Sequence, residues 1–253
     1  MIAQKETSHA FLLRSVDHGE ANRIVTLFTL EKGKISGMAR SARKSRRRFG
    51  GALEPFALIE ITIKPGRRNL YHVEKATLLD PYLNLATDLS KINAAAFILE
   101  IVREVTPEHE PDQGIFALIK AVMSLLSTSP KSATNSVLTA ATLKLLSLAG
   151  ISAIVDRCNG CGRIVPEDRK VQFNPARGGV ICTACGGGPL ILSANAAQAL
   201  CALDKLPLAS SPRETVSNDV AHELQQTLKN HIEYHIERPL CTTGFDTQVS
   251  PLT

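Results

Sequence analysis

The chain has 253 residues, 44% of them hydrophobic and 21% charged, an ordinary globular composition whose length favours two domains over one. Its net charge of +5 is unevenly placed: residues 1–80 hold 15 Lys and Arg against 8 Asp and Glu, whereas the rest hold 14 against 16. The N-terminal third is therefore the part expected to meet a polyanion. No run of 18 apolar residues occurs, which argues against a transmembrane helix, and the opening MIAQKETSHAFLLRS lacks the apolar core of a signal peptide. A reducing, cytoplasmic setting without a membrane partner is expected.

From His9 to Asp80 the pattern is that of β-strands. Runs at 10–16, 22–30, 33–39, 57–64 and 70–79 mix β-branched and alternating residues. Turn chemistry at Asp17–Gly19, Lys32–Gly33 and Pro65–Gly66 separates them. In the 57–64 run, Ile59, Ile61 and Ile63 fall on one face while Leu58, Glu60 and Thr62 fall on the other. Five short strands in about 70 residues, with the longest connection between the third and fourth, suit a five-stranded barrel of the OB type. A half-open sheet of another topology has the same strand count.

Beyond Asp88 the period becomes helical. Asp88 is placed to cap a helix carrying Leu89, Ile92, Ala96, Leu99 and Val102 on one side, limited by Pro107. Further helices are expected at about 114–127 and 134–149, the second stopped by Gly150, and these three are expected to form one bundle. Others follow at about 193–203, opened by Ser193, and at about 213–236. The predicted fold class is α+β and multidomain. Residues 1–80 form the barrel and 81–253 a helical domain, with a cysteine segment inserted at about 155–190 and a mobile tail at about 240–253.

Cys158-Asn-Gly-Cys161 and Cys182-Thr-Ala-Cys185 are C-x₂-C pairs with 20 residues between them, the spacing of a four-cysteine zinc site. Two residues between thiolates let one tight turn aim both sulfurs at one ion. A glycine follows each pair, Gly162 and Gly186, and can supply the positive φ such turns need. Disulfides and an iron–sulfur cluster are the other uses of this pattern. Four sulfur ligands leave a zinc ion no open position, so its role is expected to be structural. The enzyme-like motifs are incomplete. His231-Ile-Glu233 and His235-Ile-Glu237 are followed only by Cys241, and Gln226 stands where a His222-Glu223 protease helix would need histidine. These histidines read as polar positions of the last helix, and Cys201 as core. Gly33-Lys34 lacks the remainder of a Walker loop, so neither ATP hydrolysis nor another catalytic activity is expected.

Between Lys32 and Leu53 stand Lys32, Lys34, Arg40, Arg43, Lys44, Arg46, Arg47 and Arg48, with no acidic residue among them. Such a run is a solvated loop or a polyanion site. Arg67 and Arg68 in the hairpin between the last two strands favour the second, because that hairpin flanks the nucleic-acid groove of an OB barrel. Phe49 is placed either to stack on a base or, the plainer expectation, to anchor the loop. Aromatic residues make up only 4% of the chain, so sequence-tolerant backbone binding is expected.

The stretch from Asp17 to Thr29 (DHGEANRIVTLFT), the EKGK turn and ARSARKSRRRFGGALEPF from Ala39 to Phe56 closely resemble RecO, the bacterial recombination-mediator family. The order of parts is similar over essentially the whole chain. The resemblance implies an OB fold followed by a helical domain with a zinc segment. It implies binding of single- and double-stranded DNA, annealing of complementary strands, contact with the single-stranded-DNA-binding protein SSB, and action with RecR to help load RecA. A nucleoid-associated place in the cytoplasm goes with that activity. By similarity Lys34, Arg40, Arg43, Lys44, Arg46, Arg47 and Arg48 are DNA contacts. An RNA-binding or transcriptional zinc-ribbon protein shares the bulk features but not this stretch.

Overall fold

The computed structural model describes residues 5–67 and 69–242. Five strands, β1 (Glu6–His18), β2 (Asn22–Thr29), β3 (Gly33–Ala39), β4 (Leu58–Lys64) and β5 (Leu70–Asp80), close a barrel in the order β1-β2-β3-β5-β4. All pairs are antiparallel except β3–β5, which runs parallel from Ser36↔Leu70 to Ala39↔Val73. The closed OB-type barrel is thus the correct choice over a half-open sheet.

Alternation builds the core. Ala10, Leu12, Val25, Leu27, Ile35, Ile59, Ile61 and Ile63 point inward and are almost wholly buried. Register breaks at Leu12/Arg14 and Thr62/Ile63 bend the strands enough to close on one another. The long β3–β4 connection holds one helical turn, α1 (Arg46–Phe49). Phe49, only 2% exposed, joins Ala52 and Leu53 in the barrel core and so anchors the connection. Burying a phenylalanine contributes about 2–3 kcal/mol.

Contacts divide the chain into two compact units, Met1–Leu83 with Val102–Lys120, and Asn84–Ile101 with Ala121–Thr253. In the first, the returning segment packs on part of the barrel's outer face. Phe11 and Phe28 are cross-strand partners on that face, and the Phe116 ring lies 5.3 and 6.5 Å from theirs. Gly33 allows the segment to come close, since a Cβ there would sit 1.9 Å from the Glu110 carbonyl oxygen.

The helices are α2 (Leu89–Val105), α3 (Gln113–Thr128), α4 (Thr134–Leu148), α5 (Ala194–Lys205) and α6 (Asn218–Ile236). Asp88 accepts the Ser90 backbone N–H at 2.8 Å, and Gly150 ends α4 with φ +75°. The expected bundle of the first three helices is not the arrangement found: α4 packs against α5 and α6, while the end of α2 and the first half of α3 belong to the barrel's unit. Of the side expected for α2, Leu99 and Val102 are buried, Ile92 and Ala96 half-buried and Leu89 exposed, and Ala94, Ala95, Phe97, Ile98 and Ile101 are buried as well. The last helix starts at Asn218, not near 213, because the Ser217 hydroxyl caps the Val220 N–H. Leu208–Arg213 is a separate 3₁₀ turn. Between α4 and α5 a small sheet forms in the order β7-β6-β8, with β6 Val171–Asn174, β7 Gly179–Val180 and β8 Leu190–Leu192. Among the described residues no helix is long and apolar enough to cross a membrane. Of the tail expected at 240–253, residues 243–253 lie outside the described residues.

Candidate nucleic-acid interface and metal centre

The basic connection separates anchor from charge within one helical turn. Phe49 points into the core, while Arg46 and Arg47 are exposed on the opposite side and Arg48 is half-buried between them. Arg48 Nη2 donates to the Arg40 carbonyl at 2.8 Å and Nε to Ser45 Oγ at 3.2 Å, with the guanidinium 5.2 Å from the Phe49 ring centre. Those contacts hold the side chain extended, which lowers the entropy cost of binding an anion. Arg43 is exposed, with Nε 3.5 Å from Asp17 Oδ2, a weak surface pair that a phosphate can displace. Arg40 and Lys44 are exposed as well.

Beside this turn runs an open groove of about 590 Å³, lined by His18, Asn22, Met38, Arg40, Arg67, Leu70 and His72. His18 and Asn22 flank the β1–β2 turn, Met38 and Arg40 end β3, and Arg67 comes from the β4–β5 hairpin. These are the loops and strands that carry nucleic acid on an OB barrel. Next to the groove, register aligns Val16, Ile24, Met38 and His72 in one row across the strands. Val16 is 44% exposed, an apolar surface on which a base can lie. Asn22 Oδ1 accepts the Ser41 N–H at 2.9 Å and ties the basic connection to the groove wall. The hairpin's shape requires Gly66, where a Cβ would stand 2.0 Å from the Leu70 carbonyl oxygen. Arg68 lies outside the described residues.

Lys34 stands apart from the other cations. It lies under the returning segment, opposite Phe28, where its Nζ donates to the Arg103 carbonyl at 2.7 Å and lies 4.0 Å from Glu108. Only 12% of its side chain is exposed, so this lysine holds the returning segment on the barrel.

The four cysteines of the second unit converge. Their sulfurs all lie within 4.8 Å of one another, with Cys161 and Cys182 3.8 Å apart. A tetrahedral ion with four sulfurs at about 2.3 Å separates them by about 3.8 Å, so the set fits a thiolate-bound metal. Both turns use the expected glycines, with φ +74° at Gly162 and +100° at Gly186. Gly160 packs closely on the second turn, since a Cβ there would lie 3.1 Å from Cys185 Sγ. The Cys182 and Gly160 N–H groups donate to Cys158 Sγ at 3.2 and 3.4 Å. The Cys182 amide above all pulls the Cys158 thiol down to about 6, whereas the neighbouring Cys182 and Cys161 sulfurs push Cys185 up to about 12. Four thiols this close cannot all ionise unless a cation balances them. Arg177 braces the second turn through Nη1 to the Cys185 carbonyl at 2.5 Å.

Comparison with known proteins settles the lineage. Residues 1–82 match the family described as Recombination protein O N terminal, and residues 86–243 match Recombination protein O C terminal. The chain belongs to the RecO family. Curated relatives agree with this. DNA repair protein RecO of Anaeromyxobacter sp. (strain Fw109-5) is 37% identical over 248 residues, 95% of each chain. That of Myxococcus xanthus (strain DK1622) is 38% identical over 177 residues, 70% of this chain and 71% of the other. That of Geobacter sulfurreducens is 33% identical over 247 residues, 96% of this chain and 97% of the other.

Within this RecO-family chain, sequence reasoning missed His18, Asn22, Met38, Leu70 and His72. They are far apart in sequence, and only the β3–β5 pairing and the strand register bring them to one groove. His231, read as a polar position of the last helix, does lie on α6 but is fully buried there. The His231 Nε2 meets the Ile151 carbonyl at 2.9 Å, and its ring packs edge-on to Phe173 of β6. Cys201 is half-buried, and its thiol donates to the Val155 carbonyl at 3.1 Å.

Proposed function

We propose that this RecO-family protein binds single- and double-stranded DNA along the groove and basic rim of its barrel. In this reading it anneals complementary strands without ATP. The contacts are Arg40, Arg43, Lys44, Arg46, Arg47, Arg48, Arg67 and Arg68, joined by His18, Met38 and His72 on the groove wall, with Lys34 in an internal role. One observation carries the proposal: Arg40 lines the groove and also bonds, through its carbonyl, to Arg48 of the basic turn, so groove and turn form one continuous positive rim.

The physics is charge neutralisation. Two single strands repel through their phosphates, and each Lys or Arg contact releases condensed counterions and lowers that repulsion. No bond to the substrate is made or broken, so the protein acts as a mediator and not as an enzyme. The four cysteines hold a structural zinc ion, in keeping with an all-thiolate tetrahedral set. The finer partners follow from the family resemblance: SSB on the coated strand, RecR as co-mediator, and RecA as the protein loaded indirectly. Action on chromosomal DNA puts it in the cytoplasm at the nucleoid.

Replacing Arg46, Arg47 and Arg48 with alanine tests this reading. The salt dependence of single-strand binding, measured by fluorescence anisotropy, is expected to flatten by about 2 in log–log slope, at about 0.7 per phosphate contact. Affinity at low salt is expected to fall at least tenfold. Unchanged affinity and slope would make the turn a solvated bystander, and tighter binding of RNA than of DNA would favour a transcriptional role.

A further inference from the structure

The barrel face formed by β4, β5 and the start of β1 carries a second set of cations. Register sets outward-facing Thr62 opposite Thr7 and Lys75, and Lys64 opposite His72. The irregularity at Thr62/Ile63 lets Glu74 share this face. There its two carboxylate oxygens hold Lys64 Nζ at 2.5 Å and Lys5 Nζ at 2.9 Å. Lys75 is exposed and makes no ion pair among the described residues. Lys5, Arg48, Thr62, Glu74 and Lys75 surround an open depression of about 450 Å³. Two lysines and an arginine thus line the depression with a single carboxylate, which Lys64 also pairs, a surplus of positive charge with room for a phosphodiester. The Lys64 and Lys5 ammonium groups hold the Glu74 carboxyl below the usual carboxylate range, so the internal anion persists across the neutral range.

Arg48 connects this depression to the groove on the other side. Arg48 lines the depression, its Nη2 donates to the Arg40 carbonyl, and Arg40 lines the groove. Two channels therefore flank one basic turn. A helper of annealing gains from such a layout, because the cost of bringing two strands together falls when both are held on one body.

We propose that the β4–β5 face is a second track for a nucleic-acid backbone, with Glu74 acting as a built-in counter-ion that occupies Lys5 and Lys64 until phosphate takes its place. One chain then holds two strands. This rests on the reading that the barrel binds DNA. An acidic protein surface also carries anions, but it presents them on branched side chains at irregular spacing. A run of cations along adjacent strands suits the regular repeat of a phosphodiester chain better.

The test is calorimetric titration of the full-length protein with a thymidine oligomer of about 12 nucleotides, within the site size of one OB fold and unable to pair with itself. The wild type is expected to bind two oligomers per chain, the second more weakly and with strong salt dependence. In Lys64→Ala/Lys75→Ala the second step is expected to vanish while the first stays within about twofold. Glu74→Gln is expected to tighten the second step severalfold, a gain that a misfolded variant cannot mimic. One oligomer per wild-type chain, or two per chain in the double lysine variant, would overturn the second track and leave the groove reading intact. No binding by the wild type would overturn both.

Discussion

The basic turn of the barrel and the two cysteine turns are both short, glycine-rich, irregular pieces of chain, yet they are held in opposite ways. In α1 the anchor is Phe49, buried in an apolar core, and the charged residues beside it contribute little to folding. In the cysteine turns the chemically active groups are themselves gathered into the anchor, with four sulfurs within 4.8 Å of one another beside the buried Val180 and Ile181. A segment fastened by a greasy residue leaves its cations free for a partner. A segment fastened by its ligands has spent them on its own shape.

The largest effect expected from this contrast is at the cysteine cluster. Cys182→Ser, or removal of the ion by a strong chelator, is expected to cost several kcal/mol and to lower the melting transition of the second unit by roughly 10 °C or more. Hydrogen exchange would then quicken around 157–187, with barrel protection and DNA affinity nearly unchanged. Equal loss in both units would show that the metal supports more than its own segment.

Next in size is Phe49→Ala, expected to cost about 3–5 kcal/mol by opening the end of the barrel. Unlike an arginine substitution, it is expected to reduce stability and DNA binding together, since the turn loses its seat. Stability by chemical denaturation and affinity by anisotropy, measured on the same variant, separate the two cases. A variant that melts early but binds normally would mean that the turn does not depend on its anchor.

The smallest effect lies at His231, where burial lowers the pKa from its ordinary value of 6.5. The folded state thus resists the proton that the unfolded chain accepts. The stability linked to this neutral ring is present above about pH 6.5 and is lost as pH falls toward and through the lower folded value, by at most about 1.4 kcal/mol per pH unit. Comparing denaturation midpoints at pH 7.5 and 5.5 in wild type and His231→Gln isolates it, with the variant expected to show the shallower dependence. Equal slopes would place the acid sensitivity elsewhere.

The same contrast explains what could be read in advance. The five strands were legible because inward and outward residues alternate, as in Ile59, Ile61 and Ile63 against Glu60 and Thr62. The cysteine cluster was legible because C-x₂-C spacing is local. The three-stranded sheet beside it was not, since strands of two to four residues carry no period. Nor was the return of Val102–Lys120 to the barrel: an apolar helix face announces burial without naming its partner, so Phe116 on Phe11 and Phe28 could not be foreseen. That hidden cover also decides the fate of Lys34. As a residue in a basic run it looks like a DNA contact, whereas its carbonyl partner at Arg103 is 69 positions away.

The most direct test of the account is hydrogen exchange of the full chain with and without a saturating, non-pairing single-stranded oligonucleotide. The groove and rim, residues 14–26, 36–51 and 65–75, are predicted to exchange more slowly when the strand is bound, while 157–187 stay unchanged. Protection confined to the cysteine turns, with the barrel unaffected, would contradict it.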